Sequence, residues 1–212
     1  MTQKQRAQKI TAVLRSAYPV ADCSLFSGNA FELLVAVRLS AQCTDKRVNL
    51  VTPALFKRYP ALDDYARADI TELEQLIHSC GFWRTKAADI IGMAKAVRDE
   101  YGGVVPDTID ELVKLPGVGR KTANLIVGDV YGKPAVVCDT HVLRVTNRLG
   151  LINTKDPYKA ELKLRELLEP EQSNAFCHRI VLHGRQICTA AKPGCTGCPV
   201  FELCERNEYT KK

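Results

Sequence analysis

Apolar residues recur along this chain at intervals of three and four, from near the first residue to about residue 187, which is the spacing of helices packed on one face. Ile10, Val13, Leu14 and Tyr18 form one stripe; Phe31, Leu34, Val35 and Leu39 form another, behind Asn29 and Glu32 as a cap pair. Leu73, Leu76 and Ile77 predict a helix ended by Gly81, and Ile90, Met93, Ala94 and Val97 a longer one that stops at Gly102-Gly103. Thr108 and Glu111 have capping-box spacing for a short helix through Leu115, and another helix runs from Thr122 to Val130. Val142, Val145 and Leu149 give a helix ended by Gly150. Leu162, Leu164, Leu167 and Leu168 give one ended by Pro170, and Phe176, Ile180 and Ile187 mark the last. Only Val104-Val105 and Ala135-Val136-Val137 look strand-like, and both are too short to found a sheet. The pattern predicts an all-α protein with no internal repeat.

With 212 residues, 46% of them apolar, the chain can bury one good core or two small lobes and is not a disordered one. Thirty Lys plus Arg against 24 Asp plus Glu give a formal charge of +6, which favours a polyanionic partner without proving one. No apolar run approaches the roughly 20 residues that cross a bilayer, and Met1 to Arg6 lead into no secretory core, so no membrane role and a cytoplasmic site are expected, associated with the nucleoid in a bacterium. No acid precedes Asp22, as in a transit peptide, yet the stripe from Ile10 to Tyr18 reads better as a helix packed on the body. The nine cysteines are odd in number, and with no export signal they do not read as disulfides. Cys23, Cys43, Cys80, Cys138 and Cys177 stand singly and read as small buried hydrophobes.

Three segments carry chemistry. In Leu115-Pro116-Gly117-Val118-Gly119-Arg120-Lys121 a proline stops one helix, and two glycines permit positive φ, so that backbone N–H groups approach an anion with no Cβ in the way. Added to the positive end of the next helix, these donors make a phosphate seat. Lys121 lies in the first turn of that helix, where the macrodipole and Arg120 disfavour an ammonium ion and so favour the free amine, the form that attacks carbon. Asp139 opens the helix of Val142 to Leu149 as an N-cap; N–H groups donated to its carboxylate keep it ionised, ready to stabilise a cationic sugar or take a proton. His141 reads as packing or capping. Cys188, Cys195, Cys198 and Cys204, spaced 6-2-5, form a four-thiolate metal site, with zinc and an iron-sulfur cluster equally open by spacing; Lys192 projects from the same loop.

Leu115 to Asn124, Val137-Cys-Asp-Thr-His141, Leu39-Ser-Ala-Gln-Cys-Thr-Asp45 and the cysteine spacing, taken in order, closely resemble the endonuclease III family of helix-hairpin-helix DNA glycosylases with lyase activity. The resemblance runs over nearly the whole chain. It implies two helical lobes flanking a DNA-binding cleft: a six-helix barrel at 23–133, with the helix-hairpin-helix at about 108–130, and a domain of 1–22 plus 134–212 with a 4Fe-4S cluster on the loop 188–204. It places the catalytic lysine on Lys121 and the catalytic aspartate on Asp139. Gln42 matches the residue that probes the gap left by an extruded nucleotide, Phe82 stands where the family commonly has a leucine wedge, and Lys192 matches a phosphate contact. Gly117, Val118, Gly119 and Arg120 complete the DNA-binding set. The implied activity is excision of oxidised pyrimidines from double-stranded DNA through a lysine Schiff base, with β-elimination at abasic sites, by a monomer. Two alternatives are a monofunctional adenine glycosylase, whose glutamate has no counterpart between Val37 and Ala41, and a non-catalytic DNA-binding module with structural zinc.

Overall fold

The computed structural model describes residues 1–205, and each helix that the apolar stripes predict is present. The elements are α1 (Gln3–Ala17), α2 (Ala30–Ser40), α3 (Asp45–Arg58), α4 (Leu62–Ala66), α5 (Ile70–Ile77), α6 (Trp83–Glu100), α7 (Ile109–Leu112), α8 (Arg120–Asp129), α9 (Thr140–Arg148), α10 (Pro157–Leu167) and α11 (Pro170–Gln186). No strand occurs among the described residues. Val105 and Ala135 to Val137 are buried but outside any regular element; the Ala135 N–H donates to Ser173 Oγ at 3.2 Å. The fold is all-α.

Two compact units divide the chain: Cys23–Tyr131, and Met1–Asp22 together with the chain from Gly132 onward. In the first, α2 is apolar on nearly every side, with Phe31, Leu33, Leu34, Val35, Ala36, Val37 and Leu39 all buried; a helix of that composition is stable only with neighbours around it. Helices α3, α6 and α8 supply them. Asn29 caps α2 by accepting the Glu32 N–H at 2.9 Å, while Glu32 accepts the Gly28 N–H at 2.6 Å. In the second unit, α11 packs against α9, α1 and α10, with Ala7, Ile10, Thr11 and Leu14 of α1 buried. The N-terminal stripe is thus a core face.

Four details differ from the sequence reading. Helices α3 and α4 are not marked by a stripe: only Val48, Thr52 and Leu55 of α3 are buried, and Pro53 sits inside it. Pro170 is the first residue of α11, not merely a stop for α10, since a missing N–H costs nothing in a first turn. Thr108 caps α7 through the Glu111 N–H at 3.4 Å, but the Glu111 carboxylate takes the Tyr101 hydroxyl at 2.8 Å and the Lys114 ammonium at 2.7 Å in place of the return bond of a capping box. Of the hairpin glycines only Gly117 has positive φ, +72°; Gly119 is extended, with φ −92° and ψ 171°.

Candidate active site

The hairpin between α7 and α8 is fixed from below. Leu115 and Val118 are buried, and Pro116 lies against Gly92 of α6, where an added Cβ would come within 3.2 Å of the proline ring. Gly117 rests on the ion pair of Arg38 and Asp89, whose Nε–Oδ2 and Nη2–Oδ2 distances are 2.7 and 2.6 Å. A Cβ at Gly117 would meet Asp89 Cβ at 2.8 Å and Arg38 Nε at 2.9 Å. Both the left-handed backbone and the close approach therefore require glycine there. Gly117→Ala is expected to cost about 2–4 kcal/mol from φ strain plus overpacking, read as a drop in the urea midpoint, with weakened duplex binding; an unchanged midpoint would show that the seat yields.

Gly119 is the N-cap of α8 and offers no side chain, and no acid lies in the first turn. Gly119 therefore supplies no side-chain cap to the first N–H groups of α8, and the helix carries no carboxylate of its own at its positive end. Arg120 and Lys121 are the first two residues of this helix, and Lys121 is exposed. The sequence motif thus sets an exposed primary amine in the first turn of α8, just after a glycine N-cap.

Asp139 is the N-cap of α9, as the sequence suggests. Its Oδ1 accepts the Val142 N–H at 2.7 Å, and its Oδ2 lies 3.2 Å from His141 Nδ1. The carboxylate is held on both oxygens and is still 18% exposed, so it is oriented without being sealed off. His141 does more than pack: it is the second partner of the aspartate. Lys121 belongs to the unit of residues 23–131 and Asp139 to the other.

Gln42 and Phe82 are the two non-glycine residues with positive φ among the described residues, at 55° and 49°. Gln42 is the third residue of a turn in which the Cys43 N–H donates to Ser40 O at 3.0 Å; Ala41, with φ −59° and ψ 113°, makes it a type II turn, and Gln42 takes the place that favours glycine. Phe82 follows Gly81 in left-handed backbone and is 61% exposed. Each side chain is exposed, on a backbone conformation that costs about 1–2 kcal/mol.

Cys188, Cys195, Cys198 and Cys204 surround one cavity, lined also by Leu149, His183, Ile187, Pro193 and Phe201. Among the described residues no three His, Cys, Asp or Glu side chains converge as a single metal ion requires. Several buried groups support this loop. Arg148, in the last turn of α9, donates from Nη1 to Thr189 O at 2.7 Å and to Cys188 Sγ at 3.4 Å, and from Nη2 to Ala190 O at 2.9 Å. His183 has Nε2 3.6 Å from Cys198 Sγ and Nδ1 3.0 Å from the Tyr18 hydroxyl; burial pushes its imidazole down to about 4. Lys192 is exposed, and its carbonyl accepts the Thr189 hydroxyl at 2.7 Å. Of the single cysteines, Cys80, Cys138 and Cys177 are buried, with thiols raised chiefly by desolvation, whereas Cys23 and Cys43 are half-buried.

Residues 35–170 match the HhH-GPD superfamily of base excision DNA repair proteins. The chain is 47% identical over 205 residues to endonuclease III of Synechocystis sp., covering 96% of this chain and 93% of that protein, and 45% identical over 196 residues to endonuclease III of Bacillus subtilis, covering 92% and 90%. The chain belongs to the endonuclease III family. It is a DNA glycosylase and abasic-site lyase of base excision repair, and neither a monofunctional adenine glycosylase nor a zinc module is favoured by these matches. Among solved structures, that of a trapped endonuclease III–DNA covalent intermediate superposes with a TM-score of 0.91 at 43% identity over 97% of both chains. A thermostable thymine-DNA glycosylase shares the fold at 21% identity, with a TM-score of 0.85. No described helix is long and apolar enough to cross a membrane.

Arg148 and His183 are support residues that the motifs did not single out. A detectable signal for the first exists: Arg148 follows Val142 and Val145 at spacings of six and three, so a cation lies on the buried side of an otherwise apolar helix stripe.

Proposed function

We propose that Lys121 is the nucleophile of a bifunctional excision reaction on ring-saturated, oxidised pyrimidines such as thymine glycol in duplex DNA. The observation that carries this reading is the exposed amine in the first turn of α8, behind a glycine N-cap that supplies no side-chain bond to the first N–H groups of the helix. A phosphate seated on those groups puts the neighbouring sugar within reach of the amine. A base inside a duplex hides its glycosidic carbon, so the nucleotide must first leave the stack, at a cost of a few kcal/mol that is least for a poorly stacked base. Gln42 and Phe82 enter the space it vacates, and Gly117, Val118, Gly119, Arg120 and Lys192 hold phosphates.

The Lys121 nitrogen then bonds to C1′, and the base departs with the electron pair of the glycosidic bond. The Asp139 carboxylate stabilises the cationic character that develops on the sugar. Ring opening leaves a Schiff base between Lys121 and the sugar, which acidifies the C2′ proton. Loss of that proton forms the C2′–C3′ double bond and expels the 3′ phosphate, cutting the strand, and water releases the amine. One nitrogen thereby serves both steps, in keeping with a relative at 43% identity whose DNA complex was trapped as a covalent intermediate.

The four cysteines suit a 4Fe-4S cluster: soft thiolates, part-exposed, ringing an apolar cavity rather than meeting at one point as four zinc ligands at about 2.3 Å would. When bound, such a cluster orders the loop that carries Lys192 and takes no part in bond breaking. We assign the amine to a domain of residues 23–133 and the carboxylate and cluster to one of residues 1–22 and 134–212, in a protein that acts as a monomer.

The test is incubation with duplexes carrying thymine glycol, an abasic site, or adenine opposite 8-oxoguanine, with borohydride present. Covalent complexes are expected with the first two and not the third. Failure to trap the abasic duplex overturns the amine mechanism, and a colourless protein containing zinc overturns the cluster.

A further inference from the structure

Lys86 is the largest charged side chain buried in the unit of residues 23–131, at 1% exposure, and nothing in the excision chemistry uses it. Its ammonium donates to Leu39 O at 2.7 Å and to Cys80 O at 2.9 Å. Leu39 lies in the last turn of α2, and Cys80 ends the short 3-10 turn His78–Cys80, so both acceptors are helix-terminal carbonyls that lack an intrahelical partner. The negative ends of two helical segments face this cation, which suits a charge with no carboxylate beside it. Burial lowers its pKa, the Cys43 and Cys80 side chains oppose that shift, and the Arg38 guanidinium adds to it.

The two carbonyls lie immediately before the two strained probes. Leu39 precedes Gln42 by three residues and Cys80 precedes Phe82 by two; the Lys86 backbone N–H donates to the Phe82 carbonyl at 3.0 Å, closing the first turn of α6 on that residue. One residue thus grips the base of both loops. A buried ammonium held by two carbonyls is an expensive way to fill space, where methionine of similar length would pack without loss of hydration. Stability alone does not account for it, but rigid spacing of two loops does.

We propose that Lys86 is a positioning residue that fixes the Gln42 and Phe82 turns relative to one another, so that both side chains enter the duplex stack together. This rests on the reading of Gln42 and Phe82 as the residues that enter the stack. Lys86 touches neither sugar nor base; it acts through the two turns. Gln42 and Phe82 must fill a gap of fixed width, and misplacement of such groups by about 1 Å costs about 10²-fold in rate.

The experiment compares excision from a thymine glycol duplex with cleavage of a single-stranded abasic oligonucleotide, which needs the amine but has no stack to enter. Lys86→Met is expected to lower duplex excision by about 10²-fold while single-stranded cleavage holds, and to abolish the fluorescence rise of 2-aminopurine placed opposite the lesion. Lys86→Gln, whose amide still donates to a carbonyl, is expected to recover part of the loss and replaces Lys86→Met if the latter does not fold. Equal loss on both substrates, or no loss on either, overturns the proposal. Gln42→Ala and Phe82→Ala separate the two readings: if they leave the duplex to single-strand ratio unchanged, the probe assignment fails. If they lower it and the Lys86 variants do not, Lys86 alone is wrongly assigned.

Discussion

Lys121→Gln is expected to abolish borohydride trapping on abasic DNA and to lower lesion excision by at least about 10³-fold, because the amide has no nucleophilic lone pair to replace the amine and both chemical steps run through the same nitrogen. The fold should not suffer. Lys121 is exposed in the first turn of α8, so removing its charge takes a cation away from the positive helix end, and thermal stability should stay level or rise slightly. Duplex affinity should fall only by the share of one phosphate-facing charge, with Arg120 and the hairpin N–H groups still in place. The informative measurement is therefore a triple one on the same preparation: melting temperature, duplex affinity at fixed salt, and covalent complex on a denaturing gel. Retained trapping in the variant would move the nucleophile to another residue, and loss of all three readouts together would make Lys121 a structural residue.

How far such a site is legible in a sequence depends on whether its parts are local. The α8 hairpin is a local object: proline, two glycines and a basic pair within seven residues specify a stop, a turn and a helix start, and the structure places them so. There Pro116 and Gly117 are the central pair of a turn closed by the Val118 N–H on Leu115 O at 3.1 Å, the place where glycine takes positive φ; what the sequence does not show is that Asp89 and Arg38, neither of them near it in the chain, lie against Gly117. Asp139 is legible as an N-cap, since a helix start writes its signature in three residues. Its second contact, to His141, depends on a rotamer.

The parts that a sequence does not show are those made by distant packing. Helix α3 carries no apolar stripe because only three of its fourteen residues are buried and a proline interrupts the pattern. Lys86 lies in register with Ile90, Met93 and Val97, so it occupies a core position of α6, and its role appears only when the ends of α2 and of the turn before α6 are brought to it. Arg148 is the same kind of residue in α9. A cation in phase with an apolar stripe is a readable anomaly, but its partners are backbone carbonyls, which every residue carries and no sequence pattern marks.

Asp139→Asn separates two functions that one carboxylate performs. As a cap, asparagine is about as good as aspartate, so the variant should still accept the Val142 N–H and keep α9 intact, with stability within about 0.5 kcal/mol of the parent. As a charge, asparagine supplies nothing: the developing cation on the sugar loses its fixed counter-charge, and excision should fall by about 10²- to 10³-fold. Asp139→Ala removes both functions, and should add a loss of about 1 kcal/mol from the uncapped helix to a similar loss of activity. The comparison decides the role because the two variants differ in the cap and agree in the charge. Stopped-quench excision on a thymine glycol duplex, run beside urea unfolding of each variant, gives the four values needed. If asparagine restores activity as well as stability, Asp139 serves only to start α9, and the counter-charge for the sugar must come from elsewhere.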